Sequence, residues 1–131
     1  MVRVVTGIVG RALVLREGLS LWGGMDPATG DLIDAHHPQH GVNLAGRVLV
    51  MPSGRGSSSS ASVLAEAVRA GVAPAAILLG APDLILSIGA AVAEELYGVR
   101  VPVVVLPGER LGELRDGQEV SIDPDGRVRT A

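Results

Sequence analysis

The chain has 131 residues, a formal charge of −3 and no cysteine, a length that fits one domain over residues 1–131 with one core. Without clustered Lys or Arg it is a poor partner for nucleic acid or an anionic membrane. Without Cys it cannot itself hold an iron–sulfur cluster or a thiolate zinc site. Hydrophobic residues make up 47% but aromatics only 2%, so the core has to come from Val, Ile, Leu and Ala.

In chain order, the β-branched alternation of Val2–Leu15 predicts one bent strand, with Gly7 or Gly10 marking a bulge. Leu19–Gly30 reads as a loop, since Trp22-Gly23-Gly24 is followed by the turn sequence Asp26-Pro27-Ala28-Thr29-Gly30. Leu32-Ile33-Asp34 suggests a short strand and His36–Gly41 another loop. The apolar run Gly46–Met51, stopped by Pro52, predicts a buried strand. After Ser53–Ser60, a helix is expected over Ala61–Ala70, with Val63, Leu64, Ala67 and Val68 on one face and Gly71 as its stop. Ala75–Leu79 reads as a second buried strand, Ser87–Tyr97 as a second helix and Val101–Leu106 as a third strand. The tail pairs Glu119–Ile122 with Arg127–Thr130 about Asp123-Pro124-Asp125-Gly126 as a hairpin. Together these give a layered α/β fold, a central β-α-β-α-β with flanking β-structure. The most apolar long stretch, Ala70–Val92, is broken by Pro74, Gly80, Pro82, Asp83 and Gly89, so no membrane span is expected, and no signal peptide is visible. A cytoplasmic protein is expected.

Four places could carry chemistry. Gly54–Ser60 lies between a buried strand and a helix, where unpaired N–H groups and the helix dipole favour an anion. There Arg55 adds a forked cation and the serines add hydroxyls; the alternative is an ordinary serine cap after a turn. No P-loop pattern is present. Trp22 reads as a filler for a core poor in large side chains, the alternative being a substrate wall or docking surface. His36, His37 and His40 share one loop, but Pro38 discourages the helix that would align them as ligands, so a solvated loop is expected and no metal site is assigned. Glu94, Glu95, Glu109, Arg110, Glu113, Arg115 and Asp116 read as solvated or turn charges.

Three stretches in order resemble the aconitase X swivel-domain family: Leu19-Ser20-Leu21-Trp22-Gly23-Gly24-Met25-Asp26-Pro27-Ala28-Thr29-Gly30, then Gly46-Arg47-Val48-Leu49-Val50-Met51-Pro52-Ser53-Gly54-Arg55-Gly56-Ser57, then Ala73-Pro74-Ala75-Ala76-Ile77. The resemblance runs over nearly the whole chain. It implies the swivelling β/β/α domain of the aconitase superfamily. It also implies a large-subunit partner of aconitase X type, which carries an iron–sulfur cluster on its own cysteines, and a dehydratase active only as the pair. The substrate it implies is a small phosphorylated hydroxy acid, mevalonate 5-phosphate, dehydrated to trans-anhydromevalonate 5-phosphate in an archaeal branch of isoprenoid synthesis. The proton-accepting serine of the family falls on Ser57, with Gly54, Arg55, Gly56, Ser58, Ser59, Ser60, Gly23 and Gly24 as substrate-binding positions. A same-family alternative is dehydration of cis-3-hydroxy-L-proline, although many bacterial members carry a Cys where this chain has Ser58. An alternative of another class is a non-catalytic anion-binding or carrier module. A phosphohistidine carrier would need a His at the helix start, and Gly54–Ala61 has none. The Trp22–Asp26 loop and the Gly54–Ser60 turn are expected side by side at one end of the sheet.

Overall fold

A computed structural model describes residues 7–130; residues 2–6 of the expected first strand lie outside the described residues. Six strands form one sheet in the order β4-β3-β2-β1-β5-β6. They are β1 (Ile8–Val14), β2 (Val48–Met51), β3 (Ala76–Leu79), β4 (Val103–Val105), β5 (Glu119–Ile122) and β6 (Val128–Thr130). The helical elements are the single turn α1 (Leu21–Gly24), then α2 (Ser60–Arg69), α3 (Leu84–Tyr97) and the short α4 (Gly108–Gly112). The α/β class, the β-α-β-α-β centre and the tail hairpin are as expected.

The strand β1 changes partners along its length. Ile8–Arg11 pairs antiparallel with β5, while Ala12–Val14 runs parallel to β2. The expected bulge is absent at Gly10: the ladder passes through Gly10↔Val120 with no residue skipped. Gly10 instead marks a crowded crossing, where a Cβ would lie 3.1 Å from Val48 Cγ2. Leu32 and Asp31 make isolated bridges, to Met25 and Asn43, rather than the expected strand.

Every residue of β2 and β3 is buried, because both sheet faces are covered, the usual reason for unbroken apolar runs in parallel strands. Leu49, Met51, Ile77 and Leu79 face a core shared with Leu64, Ala67 and Val68 of α2, Leu86, Ala90 and Ala93 of α3, and Leu19, Leu21, Met25, Leu32 and Leu44 of the segment between β1 and β2. Val48, Val50, Ala76 and Leu78 face the other core, closed by Val120, Ile122 and Val128 of the tail hairpin and by Leu114. Aliphatic side chains fill both.

The helices α2 and α3 cross closely at Gly89, where a Cβ would lie 2.9 Å from both Cα and O of Ala61. Backbone atoms cannot rotate away. Gly89→Val is therefore expected to lower the unfolding free energy by about 1–3 kcal/mol, whereas Ala91→Val on the exposed face of the same helix should cost about 0.7 kcal/mol at most. Denaturant titration of the two variants checks this.

Candidate active site

The parallel strands β1, β2 and β3 all release their chains at one edge of the sheet, where adjacent loops of open α/β sheets meet. After β1 the chain is fixed by the histidine loop. The Gln39 side chain takes the Arg16 N–H (2.8 Å) and donates to Val14 O (2.8 Å). His37 accepts from Gln39 N–H at Nδ1 (3.1 Å), which leaves Nε2 to donate to Glu17 O (3.2 Å). The solvated loop expected for the histidines thus holds for His36 and His40, both exposed, but His37 is buried. It is buried because it clamps the segment leading to the site.

That segment runs beside the loop after β2. Leu19 bridges Gly54 in parallel, and Arg55 N–H donates to Leu19 O (3.3 Å). The two loops expected to be neighbours therefore meet, through Leu19–Trp22 on one side and Gly54–Ser60 on the other. Trp22 N–H donates to Ser60 Oγ (3.2 Å), Ser60 and Ser20 hydroxyls lie 3.4 Å apart, and Ser20 Oγ donates to Trp22 O (3.2 Å).

These contacts sort the four serines. Ser60 is buried, and its hydroxyl ties α2 to the Trp22 backbone at the floor of the expected substrate-binding turn. Ser58 and Ser59 are exposed. Ser57 is half-buried and, with Gly54, Arg55, Gly56, Ser60 and Asp83, lines a small cleft. Its Oγ accepts the Ser59 N–H (3.3 Å) and its carbonyl accepts Ser60 N–H (2.9 Å). Ser57 thus opens the turn that leads into α2, with the Ser59 N–H trained on its hydroxyl oxygen.

Charge in the cleft comes from two directions. One is Arg55, whose guanidinium lies 3.5 Å from Glu17, with both side chains partly in solvent. The second is Asp83, which also lines the cleft; it is the N-cap of α3, and its side chain accepts from Leu86 N–H (3.0 Å). The helix expected over Ser87–Tyr97 therefore starts three residues earlier, at Leu84. An Asp directly before the apolar Leu84-Ile85-Leu86 was the available signal. Gly54 has no room for a side chain, since a Cβ there would overlap Asp83 Oδ2.

Trp22 departs from the core role expected of it. It is 59% exposed because the backbone leaves helical angles at Trp22 (ψ 116°) and Gly23 (φ 78°). Leu21 and Met25 are buried instead. Gly23 is exposed and open, whereas Gly24 is buried against Leu19, so of the two glycines expected to touch substrate only Gly23 presents a free backbone. The turn charges include an element not expected: Gly108–Gly112 forms α4. Away from the cleft, a hydrogen bond from Arg69 holds the exposed Glu66 carboxyl below the usual carboxylate range.

Residues 2–130 match the family described as the aconitase X swivel domain. Cis-3-hydroxy-L-proline dehydratase of Pseudomonas aeruginosa is 53% identical over 105 residues, which is 80% of this chain but only 18% of that protein's length. Phosphomevalonate dehydratase small subunit of Methanothermobacter thermautotrophicus is 40% identical over 122 residues, 92% of this chain and 88% of that one. In three dimensions, the crystal structure of Thermococcus kodakaraensis aconitase X in its holo-form superposes with a TM-score of 0.85 at 32% identity, covering 95% of this chain and 90% of that chain.

Proposed function

The chain belongs to the aconitase X swivel-domain family, and on that footing we propose that it is the swivel component of a hydro-lyase, supplying Ser57 as the base that takes a proton from a small hydroxy acid. The observation that carries this reading is Ser57 itself. Its hydroxyl lines a cleft at the strand ends, with the Ser59 N–H on its oxygen and Arg55 beside it. A serine is a weak base in water. An N–H donor and the N-terminus of α2 favour the negative oxygen, more so once a partner closes the cleft against solvent.

The substrate that the site suits best is cis-3-hydroxy-L-proline. The 53% identity to a dehydratase of that name supports it, and so does a cleft that offers one guanidinium and one carboxylate to a zwitterion. Ser58, which speaks for an archaeal-type substrate in the sequence, faces solvent and carries little weight. In this reaction Ser57 first gives its hydroxyl proton to solvent, and the C2–H bond breaks as the resulting alkoxide Oγ takes the substrate proton. The electron pair becomes the C2=C3 double bond, and the C3–O bond breaks. The hydroxyl leaves as water with a proton from outside this cleft. Charge building on the substrate carboxylate is met by Arg55 and the loop N–H groups. Mevalonate 5-phosphate is the second reading, favoured by a match that spans nearly the whole of a phosphomevalonate dehydratase small subunit.

Either reaction needs a partner, proposed to be a large subunit of aconitase X type. The residues of this chain do not fit an iron–sulfur cluster: it has no cysteine, and among the described residues no three His, Asp or Glu side chains come together as ligands. A cluster would belong to the partner. No helix among the described residues is long and apolar enough to cross a membrane, and a cytoplasmic setting is proposed. The test is co-expression with an aconitase X-type large subunit and assay of both substrates. The expected result is no turnover by either chain alone and dehydration of cis-3-hydroxy-L-proline by the pair. Turnover by the large subunit alone would overturn the assignment of the base to this chain.

A further inference from the structure

We infer that Asp83 is the specificity-determining carboxylate of the site, pairing with the cationic ring nitrogen of an imino-acid substrate. The inference rests on the proposed reading of Ser57 as the base of a hydroxy-acid dehydratase. Asp83 follows β3, the strand beside β2, so its loop meets the Ser57 loop at the same sheet edge. It lines the same cleft as Gly54 and Ser57.

The two carboxylate oxygens have separate surroundings. Oδ1 caps α3 by accepting the Leu86 N–H. Oδ2 is turned towards Gly54, so close that a methyl group there would overlap it, and no described residue donates a hydrogen bond to it. Capping needs only one acceptor, and Ser or Asn serves about as well. The second oxygen brings negative charge into a cleft whose other charged group, Arg55, suits an anion.

A phosphorylated hydroxy acid carries only negative charge and would be repelled by this wall. A zwitterionic imino acid presents its carboxylate to Arg55 and its ammonium to Asp83. Opposite charges at the two ends fix which way the ring lies, and therefore which C–H faces Ser57.

The experiment uses the complex of this chain with its large subunit. Asp83→Asn and Asp83→Ser both keep a capping acceptor and remove the charge. Each is expected to leave the thermal midpoint nearly unchanged and to raise KM for cis-3-hydroxy-L-proline on the order of 10–100-fold, with a smaller change in kcat. Wild-type complex should discriminate by a similar factor against the analogue with ring oxygen in place of ring nitrogen, and Asp83→Asn should lose that discrimination. The analogue comparison on wild type does not depend on any variant folding. Unchanged KM in both variants, or equal binding of the analogue by wild type, overturns the inference while the serine reading stands. Turnover of mevalonate 5-phosphate alone by wild type overturns the imino-acid assignment and the inference with it, and is told apart by the wild-type assay.

Discussion

Ser57→Ala is expected to stop dehydration by the assembled complex while leaving the chain folded and bound to its partner. Two magnitudes separate this outcome from a structural role. As a cap, the Ser57 hydroxyl satisfies one N–H, that of Ser59, and its loss costs about 0.5–2 kcal/mol, little enough for the chain to remain folded. As a general base its loss costs on the order of 10²–10⁴ in rate. The neighbouring serines are internal controls. Ser58→Ala and Ser59→Ala remove exposed hydroxyls and should change neither property. Ser60→Ala removes the acceptor of the Trp22 N–H and should lower stability more than Ser57→Ala does, through the desolvated N–H left behind, about 1–3 kcal/mol. The crossed pattern is the signature: turnover lost at position 57, stability lost at position 60. Near-normal turnover of Ser57→Ala in an intact complex would leave Ser57 as a cap and send the search for the base to the partner.

The parts of this fold legible in the sequence are those written locally. Val48–Met51 and Ala76–Leu79 are short apolar runs closed by turn residues. They are strands because a parallel sheet covered on both faces wants such runs. The apolar face of α2 repeats at helical spacing, and Gly71, with φ 76°, ends it. The Ser57 loop was legible as a turn between strand and helix, because glycines and serines follow a buried apolar run and precede a helical repeat.

What stayed hidden depends on contacts distant in sequence. His37 reads like its exposed neighbours until the Glu17 carbonyl appears beside it. Ser60 reads like Ser57 until Trp22 takes its oxygen. Trp22 reads as core because the composition offers few other large side chains. The aliphatic core closes without it, and Gly23 turns the backbone so that it faces outward. The early start of α3 was obscured because Leu84-Ile85-Leu86 is an unbroken apolar run, whose period does not tell helix from strand. Asp83 was visible as a residue, but its place in the site follows only from β3 lying next to β2.

Gly54→Ala is the second large effect expected, and its sign depends on Asp83. The Gly54 backbone does not sit in the left-handed region, so the main chain itself admits alanine. In open space the substitution would stabilise by about 0.4–1 kcal/mol, by restricting the unfolded chain. Here the new methyl group meets Asp83 Oδ2, whose partner oxygen is fixed by the Leu86 N–H at the start of α3. The carboxylate cannot withdraw without giving up the cap, so the loop must shift. Overpacking of this kind costs about 1–3 kcal/mol, and a displacement of about 1 Å at the base costs on the order of 10²-fold in rate. Stability and turnover should therefore both fall. Combining Gly54→Ala with Asp83→Ser separates the two causes, since serine keeps a capping oxygen and vacates the space that the methyl group needs. Unfolding measurements on the four members of the cycle should show a coupling of about 0.5–3 kcal/mol, with stability largely restored in the double variant. Its turnover of cis-3-hydroxy-L-proline should remain low if Asp83 pairs with the ring nitrogen as proposed, because that carboxylate is gone. Additive losses of stability would mean that Gly54 and Asp83 do not touch in solution, and recovery of full turnover in the double variant would mean that Asp83 contributes only its bulk.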